Sequence, residues 1–151
     1  MKHALESTQK SRLAFTYLCK DLTIEQLNKI PEGFNNNIVW NFGHVIVTQQ
    51  SLCYGLSGLP LNVSMEMVEK YRKGSKPTEF ISMEEYKKLQ KLSEKLLEQF
   101  EKDYEDGIFV SYKPYMTSLN VELDSVQKAI SFNAFHEGLH FGTMLALKKL
   151  V

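Results

Sequence analysis

The sequence has no excess of either charge. Eighteen basic and eighteen acidic residues cancel to a formal net charge of zero. Proteins that bind nucleic acid or an anionic membrane surface usually carry a basic excess that attracts the partner. We therefore expect neither nucleic acid nor a membrane as a partner.

Long apolar runs and cysteine are also scarce. No segment reaches the roughly 18 uncharged apolar residues that a membrane-spanning helix requires. The opening stretch MKHALESTQKSRLAF mixes charges with apolar residues, unlike a signal peptide. The two cysteines, Cys19 and Cys53, match no zinc or redox spacing, which indicates free thiols in a reducing compartment. We expect a cytoplasmic protein.

Proline and glycine are few, and most of them lie between four segments of helical character. Helical spacing of apolar residues, or a nearly uncharged run without proline, marks each segment as a helix. The four segments cover approximately residues 3–20, 38–56, 82–104 and 124–150. Capping-box pairs, Thr23 with Gln26 and Ser82 with Glu85, mark the starts of a short helical turn and of the third long helix.

The connections between these segments complete the predicted architecture. Residues 57–81 are rich in turn-forming residues and form a long crossing connection with one short helix inside it. Residues 108–112 have an extended character, but no second strand pattern exists to pair with them, so we predict a packed loop. A chain of 151 residues suits one hydrophobic core. The prediction is a single all-α domain over residues 1–151, a four-helix bundle with a long crossover connection.

Three of the four histidines lie in the two most apolar helices. His136 and His140 occur in HEGLH and are four residues apart, so they share one helix face. His44 lies within the second helix, flanked by Trp40 and Val47 on the same face. Bundle cores often hold metals through side chains from facing helices. Three imidazoles here form a candidate metal site, and the alternative is that they are hydrogen-bonded core residues.

The HEGLH segment also has the spacing of a zinc protease helix. Such an enzyme needs a third ligand, usually downstream, but the eleven residues after His140 contain no His, Asp, Glu or Cys. It would also be expected to carry a sheet beside this helix. We therefore disfavour a metalloprotease and take His44 as the third ligand.

Four polar residues near the histidines are candidates for supporting roles. Glu137 is the candidate general base, although one residue is about 100° around a helix, so it can equally face solvent or a neighbouring helix. Asn41 and Asn133 each precede a histidine by three residues, where an amide can orient an imidazole. Gln49 belongs to a polar cluster, Thr48 to Gln50, that begins one turn beyond His44 and can line a pocket or form hydrogen bonds along the helix face.

The chain resembles the DinB-like superfamily of small four-helix bundles, which includes YfiT-type metal-dependent hydrolases and bacterial thiol transferases. The resemblance covers nearly the whole chain and rests on LTIEQL, on NNIVWNFGH at the start of the second helix, and on FHEGLHFG in the fourth. It implies a divalent metal, commonly zinc or nickel, held by His44, His136 and His140. It also implies that homodimers can form.

The resemblance leaves the reaction open. Three neutral imidazoles leave a divalent ion with its full charge, so the site favours an anionic further ligand. Our first hypothesis is a thiol S-transferase or a hydrolase that acts on a small-molecule substrate, with a low-molecular-weight thiol as the co-substrate to test first. The second is a non-catalytic metal-binding or stress-related bundle. A ridge of small residues every four positions, from Ala134 to Ala146, can pack within the bundle or against a second copy.

Overall fold

The four long helices predicted from the sequence are present in a computed structural model that describes residues 2–151. The first is α1, Lys2–Cys19. The second is α3, Ile38–Gln49, which continues through a π-helical segment, Gln50–Gly55. The other two are α5, Met83–Glu105, and α6, Val126–Lys148. The all-α class and the bundle are confirmed.

Local sequence signals account for the helix starts. The short helix α2, Ile24–Asn28, and α5 both begin at complete capping boxes, the ones formed by Thr23 with Gln26 and by Ser82 with Glu85. Each box satisfies two backbone N–H groups that would otherwise lack partners at a helix start. The crossing connection contains α4, Met65–Tyr71, which begins at Ser64. These predictions from the sequence are confirmed.

The segment after α5 differs from the prediction in one respect. Residues 108–112 are not a strand, but a small antiparallel hairpin follows, with β1, Tyr115–Met116, paired to β2, Glu122–Leu123. Asn120 has a φ of 58° in the turn that joins the two strands. Strands of two residues are too short to show an alternating pattern, so this hairpin has no recognisable signal in the sequence.

The interior contains two larger apolar clusters with a polar layer between them, and a small third cluster of Trp40, Val47 and Tyr71. One of the larger clusters lies around Phe15, Phe42 and Met144, and the other around Leu52, Phe100 and Ile130. Along α1, α3 and α6, buried polar residues lie between the parts of the helix that join the two larger clusters; they include Arg12, Gln49, Asn133 and Glu137, and Ser93 of α5 contacts Arg12. Helix α6 packs on both α1 and α3, which brings its histidines against α3.

Candidate metal centre

The structure brings together the three histidines that the sequence singled out. His44 on α3 meets His136 and His140 on α6, and one ring nitrogen from each lies within 4.8 Å of the others. The ring centroid of His44 is 5.2 Å from that of His136 and 4.7 Å from that of His140. The predicted contact between His44 and the two histidines of α6, which lie far apart in the sequence, is therefore present in the fold.

The ring of His44 is held on two sides. Its Nδ1 lies 2.6 Å from the backbone carbonyl oxygen of Tyr71, at the end of α4. Because a carbonyl oxygen only accepts, Nδ1 carries the proton and Nε2 keeps its lone pair. The indole of Trp40 stacks on the imidazole with centroids 4.6 Å apart and planes 11° apart. These contacts fix both the tautomer and the orientation that a metal ligand needs.

The ring of His140 is fixed by an amide. The Nδ2 of Asn41 donates to the carbonyl oxygen of Asn37 at 2.8 Å, so its Oδ1 faces His140. The Nδ1 of His140 lies 2.7 Å from that oxygen and donates to it. Nε2 is again the nitrogen with a free lone pair. Asn41 thus orients an imidazole, as the sequence suggested, but the ring belongs to α6 instead of to the neighbouring His44.

The nitrogen positions fit a shared cation. The Nε2 atoms of His136 and His140 are 3.2 Å apart. Two nitrogens on one tetrahedral zinc ion, each at its usual bond length, are separated by about 3.3 Å. Among the residues the structure describes, the Nδ1 of His136 is buried without a hydrogen-bond partner. No hydrogen bond at Nδ1 therefore prevents His136 from carrying its proton there and binding a metal through Nε2. A set of three imidazole nitrogens suits zinc or nickel.

Burial keeps the three imidazoles neutral. Burial, and then the neighbouring His140 and His44, lower the pKa of His136 to about 3. Burial and then His44 lower the pKa of His140 to about 4. Burial also lowers the pKa of His44, although its hydrogen bond to Tyr71 acts in the opposite direction. Neutral imidazole is the form that binds a metal, so no proton has to be displaced at neutral pH.

A cleft of about 430 Å³ opens beside the triad, and His44 and His136 form part of its lining. Its walls come from α3, α6, the end of α4 and the hairpin turn. Thr48, whose hydroxyl lies 3.3 Å from Nε2 of His44, lines the cleft next to the ring nitrogens of the triad. A substrate in this cleft can therefore reach a cation held by the triad.

The other three candidate residues face away from this cleft. The Glu137 carboxylate is fully buried and accepts from the Arg12 guanidinium at 2.9 Å, from Asn133 at 2.9 Å and from Ser11 at 3.1 Å. Gln49 accepts from Arg12 at 2.8 Å. None of the three lines the cleft. Of the two positions considered for Glu137, solvent or a neighbouring helix, the structure shows the second.

Arg12 is the centre of this polar layer, and the sequence reasoning missed it. Its guanidinium also donates to Ser93 at 3.2 Å and to the carbonyl oxygen of Val45 at 3.3 Å, so it joins α1 to α3, α5 and α6. One signal was available, because Thr8, Arg12 and Phe15 follow helical spacing along a single face of α1. We assign Glu137, Asn133 and Gln49 to this structural layer, and a general-base role for Glu137 has no supporting contact.

A family profile for the DinB superfamily matches residues 7–144 of the 151. The chain belongs to the DinB superfamily. This confirms the resemblance drawn from the sequence, and the match contains all three histidines. No curated protein matches the chain. Superfamily membership together with the three-histidine cluster supports a metal-binding DinB-like protein. Within residues 2–151, no helix has the length and apolar character needed to cross a bilayer.

Proposed function

We propose that this DinB-superfamily protein is a divalent-metal-dependent enzyme, and that its first reaction class is thiol S-transfer, with hydrolysis second. One observation carries the proposal: three neutral imidazoles converge at the side of a cleft large enough for a small-molecule substrate. Zinc and nickel both suit an all-imidazole set. When bound, such a cation supplies uncompensated positive charge that lowers the pKa of a thiol or a water molecule.

The chain's own residues would position the reaction. His44, His136 and His140 hold the cation, while Tyr71 and Asn41 fix two of the three rings. In the transfer, the thiol gives its proton to solvent and its sulfur attacks an electrophilic carbon. A carbon–sulfur bond forms as the leaving group departs with the bonding electrons. The Thr48 hydroxyl is placed to donate a hydrogen bond to the sulfur or to the leaving atom.

The lining of the cleft favours thiol transfer over hydrolysis. No Asp or Glu is among the residues that line it, and Glu137 is bound to Arg12. A thiolate is already a strong nucleophile and needs no base during its attack. Hydrolysis usually benefits from a general acid or base beside the water. Because none of the described residues that line the cleft is Asp or Glu, the transferase is the first candidate.

The same lining also supports a second candidate from a different class. A bundle that binds a metal and a ligand without turnover, as a metal-binding or stress-related protein, needs the triad and the cleft but no base. The two candidates share the metal site and differ only in chemistry. Turnover with a low-molecular-weight thiol separates them.

The test is a conjugation assay with metal-loaded protein. Glutathione and bacillithiol are each offered with a panel of alkyl and aryl electrophiles, and thiol consumption is followed by mass spectrometry. The transferase predicts product that disappears in His140→Ala and after chelation. Activity that survives the loss of His140 contradicts the metal mechanism. Stoichiometric metal without turnover on the whole panel favours the binding protein.

We also infer a cytoplasmic location and a homodimer for the protein. Cys19 and Cys53 are buried free thiols, which suits a reducing compartment. The outer face of α6 exposes uncharged apolar side chains that include Phe135 and Leu145, with Gly138 and Gly142 between them. Analytical ultracentrifugation checks the dimer: Leu145→Lys should shift the sedimentation to that of a monomer, and a monomeric parent protein contradicts the inference.

A further inference from the structure

The cleft beside the triad has a local charge that the chain as a whole lacks. Arg72 and Lys73, which directly follow α4, line one side of it, and none of the described residues that line it is acidic. The chain carries equal numbers of acidic and basic residues. Two adjacent cations at a cleft without a lining carboxylate therefore form a local positive site. Such a site attracts an anionic group.

The two cations differ in how far they are already neutralised. The Nε of Arg72 donates to the Glu69 carboxylate at 2.6 Å, and its Nη1 approaches the carbonyl oxygen of Lys73 at 3.5 Å. Lys73 has no carboxylate within ion-pair distance among the described residues. Lys73 is thus the stronger anchor for an anion, and the remaining N–H groups of Arg72 can support it.

The rest of the cleft is mainly apolar. Six of its lining side chains are hydrocarbon, and they come from α3, the segment after it, the hairpin turn and α6; they are Val47, Leu52, Leu56, Leu119, Phe132 and Leu139. The volume of about 430 Å³ is in the usual range for drug-sized ligands. A small thiol would fill only part of this space. An apolar wall next to a cationic edge suits a ligand with a hydrophobic body and an anionic group.

We propose that the substrate of this site is an amphipathic anion: an alkyl or aryl compound with a carboxylate or phosphate group. The anionic group contacts Lys73 and Arg72, the hydrophobic body lies along the apolar wall, and the reacting atom faces His44 and His136. This inference rests on the proposed function, because it assigns the cleft to the substrate of the metal-dependent reaction. It concerns the recognition of that substrate and involves no covalent step.

The experiment uses metal-free protein, so that a carboxylate cannot bind through the cation. Isothermal titration calorimetry compares octanoate, butyrate and 1-octanol with the parent chain and with Arg72→Gln/Lys73→Gln. The matched control is Lys87→Gln/Lys91→Gln, which removes the same charge from exposed positions on α5 outside the cleft. Circular dichroism verifies the fold of each variant.

Octanoate should bind the parent chain, and butyrate should bind at least about tenfold more weakly because it buries fewer methylene groups. The Arg72/Lys73 variant should raise the Kd of octanoate by about fivefold or more. The Lys87/Lys91 control should leave that Kd within about twofold. Binding of 1-octanol should be the same in all three proteins. If octanoate does not bind, or binds the Arg72/Lys73 variant as tightly as the control, the inference is wrong.

Two further arms keep the result decisive. If the double variant does not fold, Lys73→Gln alone and the salt dependence of octanoate binding replace it, with 1-octanol as the salt-insensitive reference. Zinc uptake is measured separately on the same preparations. Octanoate binding without zinc uptake contradicts the proposed function alone, whereas zinc uptake without octanoate binding contradicts the amphipathic anion alone.

Discussion

Each histidine of the triad depends on a different neighbour. His44 donates to a backbone carbonyl that no side-chain substitution removes directly, while His140 donates to the amide of Asn41. His136 has no partner on its second nitrogen among the described residues. Of these contacts, the one between Asn41 and His140 is open to a simple mutational test.

Asn41→Ala should lower the zinc affinity by about 10- to 100-fold, the usual effect of removing a group that orients a metal ligand. The amide fixes the tautomer of His140, and without it Nε2 is no longer held toward the other rings. Competition with a chromogenic chelator measures the affinity. Asn133→Ala is the control, because Asn133 contacts Glu137 and not an imidazole. Equal effects of the two variants would contradict the assigned role of Asn41.

The buried ion pair of Arg12 with Glu137 is predicted to matter for stability. Arg12→Met leaves the Glu137 carboxylate buried without its cation, so the free energy of unfolding should fall by about 3–5 kcal/mol. Urea denaturation measures this change. Lys88→Met removes the exposed ion pair with Glu84 and should cost no more than about 1 kcal/mol.

A second variant tests the cause of that loss. Arg12→Met/Glu137→Leu removes both charges and should recover part of the stability. A double variant that is less stable than Arg12→Met would show that a different contact of the polar layer dominates.

At the scale of elements, the end of α4 connects the metal site to the crossing connection. Tyr71 supplies the carbonyl that holds His44, and its ring packs against Gly43 of α3. A Cβ at position 43 would lie 2.5 Å from a ring carbon of Tyr71, closer than side chains approach. Glycine at this position therefore permits the close contact between α3 and α4 that places the carbonyl.

Gly43→Ala should displace Tyr71 and weaken both the fold and the metal site. We expect the free energy of unfolding to fall by about 1–3 kcal/mol, the usual cost of overpacking. Zinc affinity should fall as well, because the Tyr71 carbonyl moves away from His44. The control is Gly142→Ala on α6, where nothing lies within 4 Å of an added Cβ and the helix should gain up to about 1 kcal/mol. Unchanged zinc affinity in Gly43→Ala would refute the link between α4 and His44.

An element could be predicted from the sequence when its residues carry a local signal. The capping boxes fixed where α2 and α5 begin, and apolar spacing identified the long helices. The contact of the Tyr71 carbonyl with His44 could not be predicted, because every residue has a backbone oxygen and the path of residues 57–81 is irregular. In α3 and α6, apolar residues occur on nearly all sides. The face on which Gln49 or Asn133 lies was therefore undetermined; in the structure Gln49 contacts Arg12 and Asn133 contacts Glu137.

At the scale of the whole molecule, the neutral histidines make the metal-free protein sensitive to acid. The unfolded chain binds protons at its histidines near pH 6.5, whereas in the folded chain the pKa values of His136 and His140 are about 3 and about 4. Between these limits the unfolded state binds more protons. The contribution of these histidines to the free energy of unfolding should be fully present above about pH 6.5. It should be lost as the pH is lowered toward 4.

Urea midpoints of chelator-treated protein at pH 7.5, 6.5 and 5.5 check this expectation. The range above pH 5 avoids the carboxylates whose pKa values are lowered by hydrogen bonds, such as Glu85 and Asp124, which contribute only at more acidic pH. His136→Gln/His140→Gln should show a flatter profile. A parent midpoint that is the same at pH 5.5 and 7.5 would contradict the neutral, buried state of the triad.

Elemental analysis determines whether His44, His136 and His140 hold a divalent cation. The protein is expressed without a histidine tag, purified, and measured by inductively coupled plasma mass spectrometry before and after incubation with zinc or nickel. We predict about one equivalent of zinc or nickel per chain, and its loss in His136→Ala and His140→Ala. If the purified protein carries no metal and takes up neither ion on incubation, the three histidines do not hold a divalent cation.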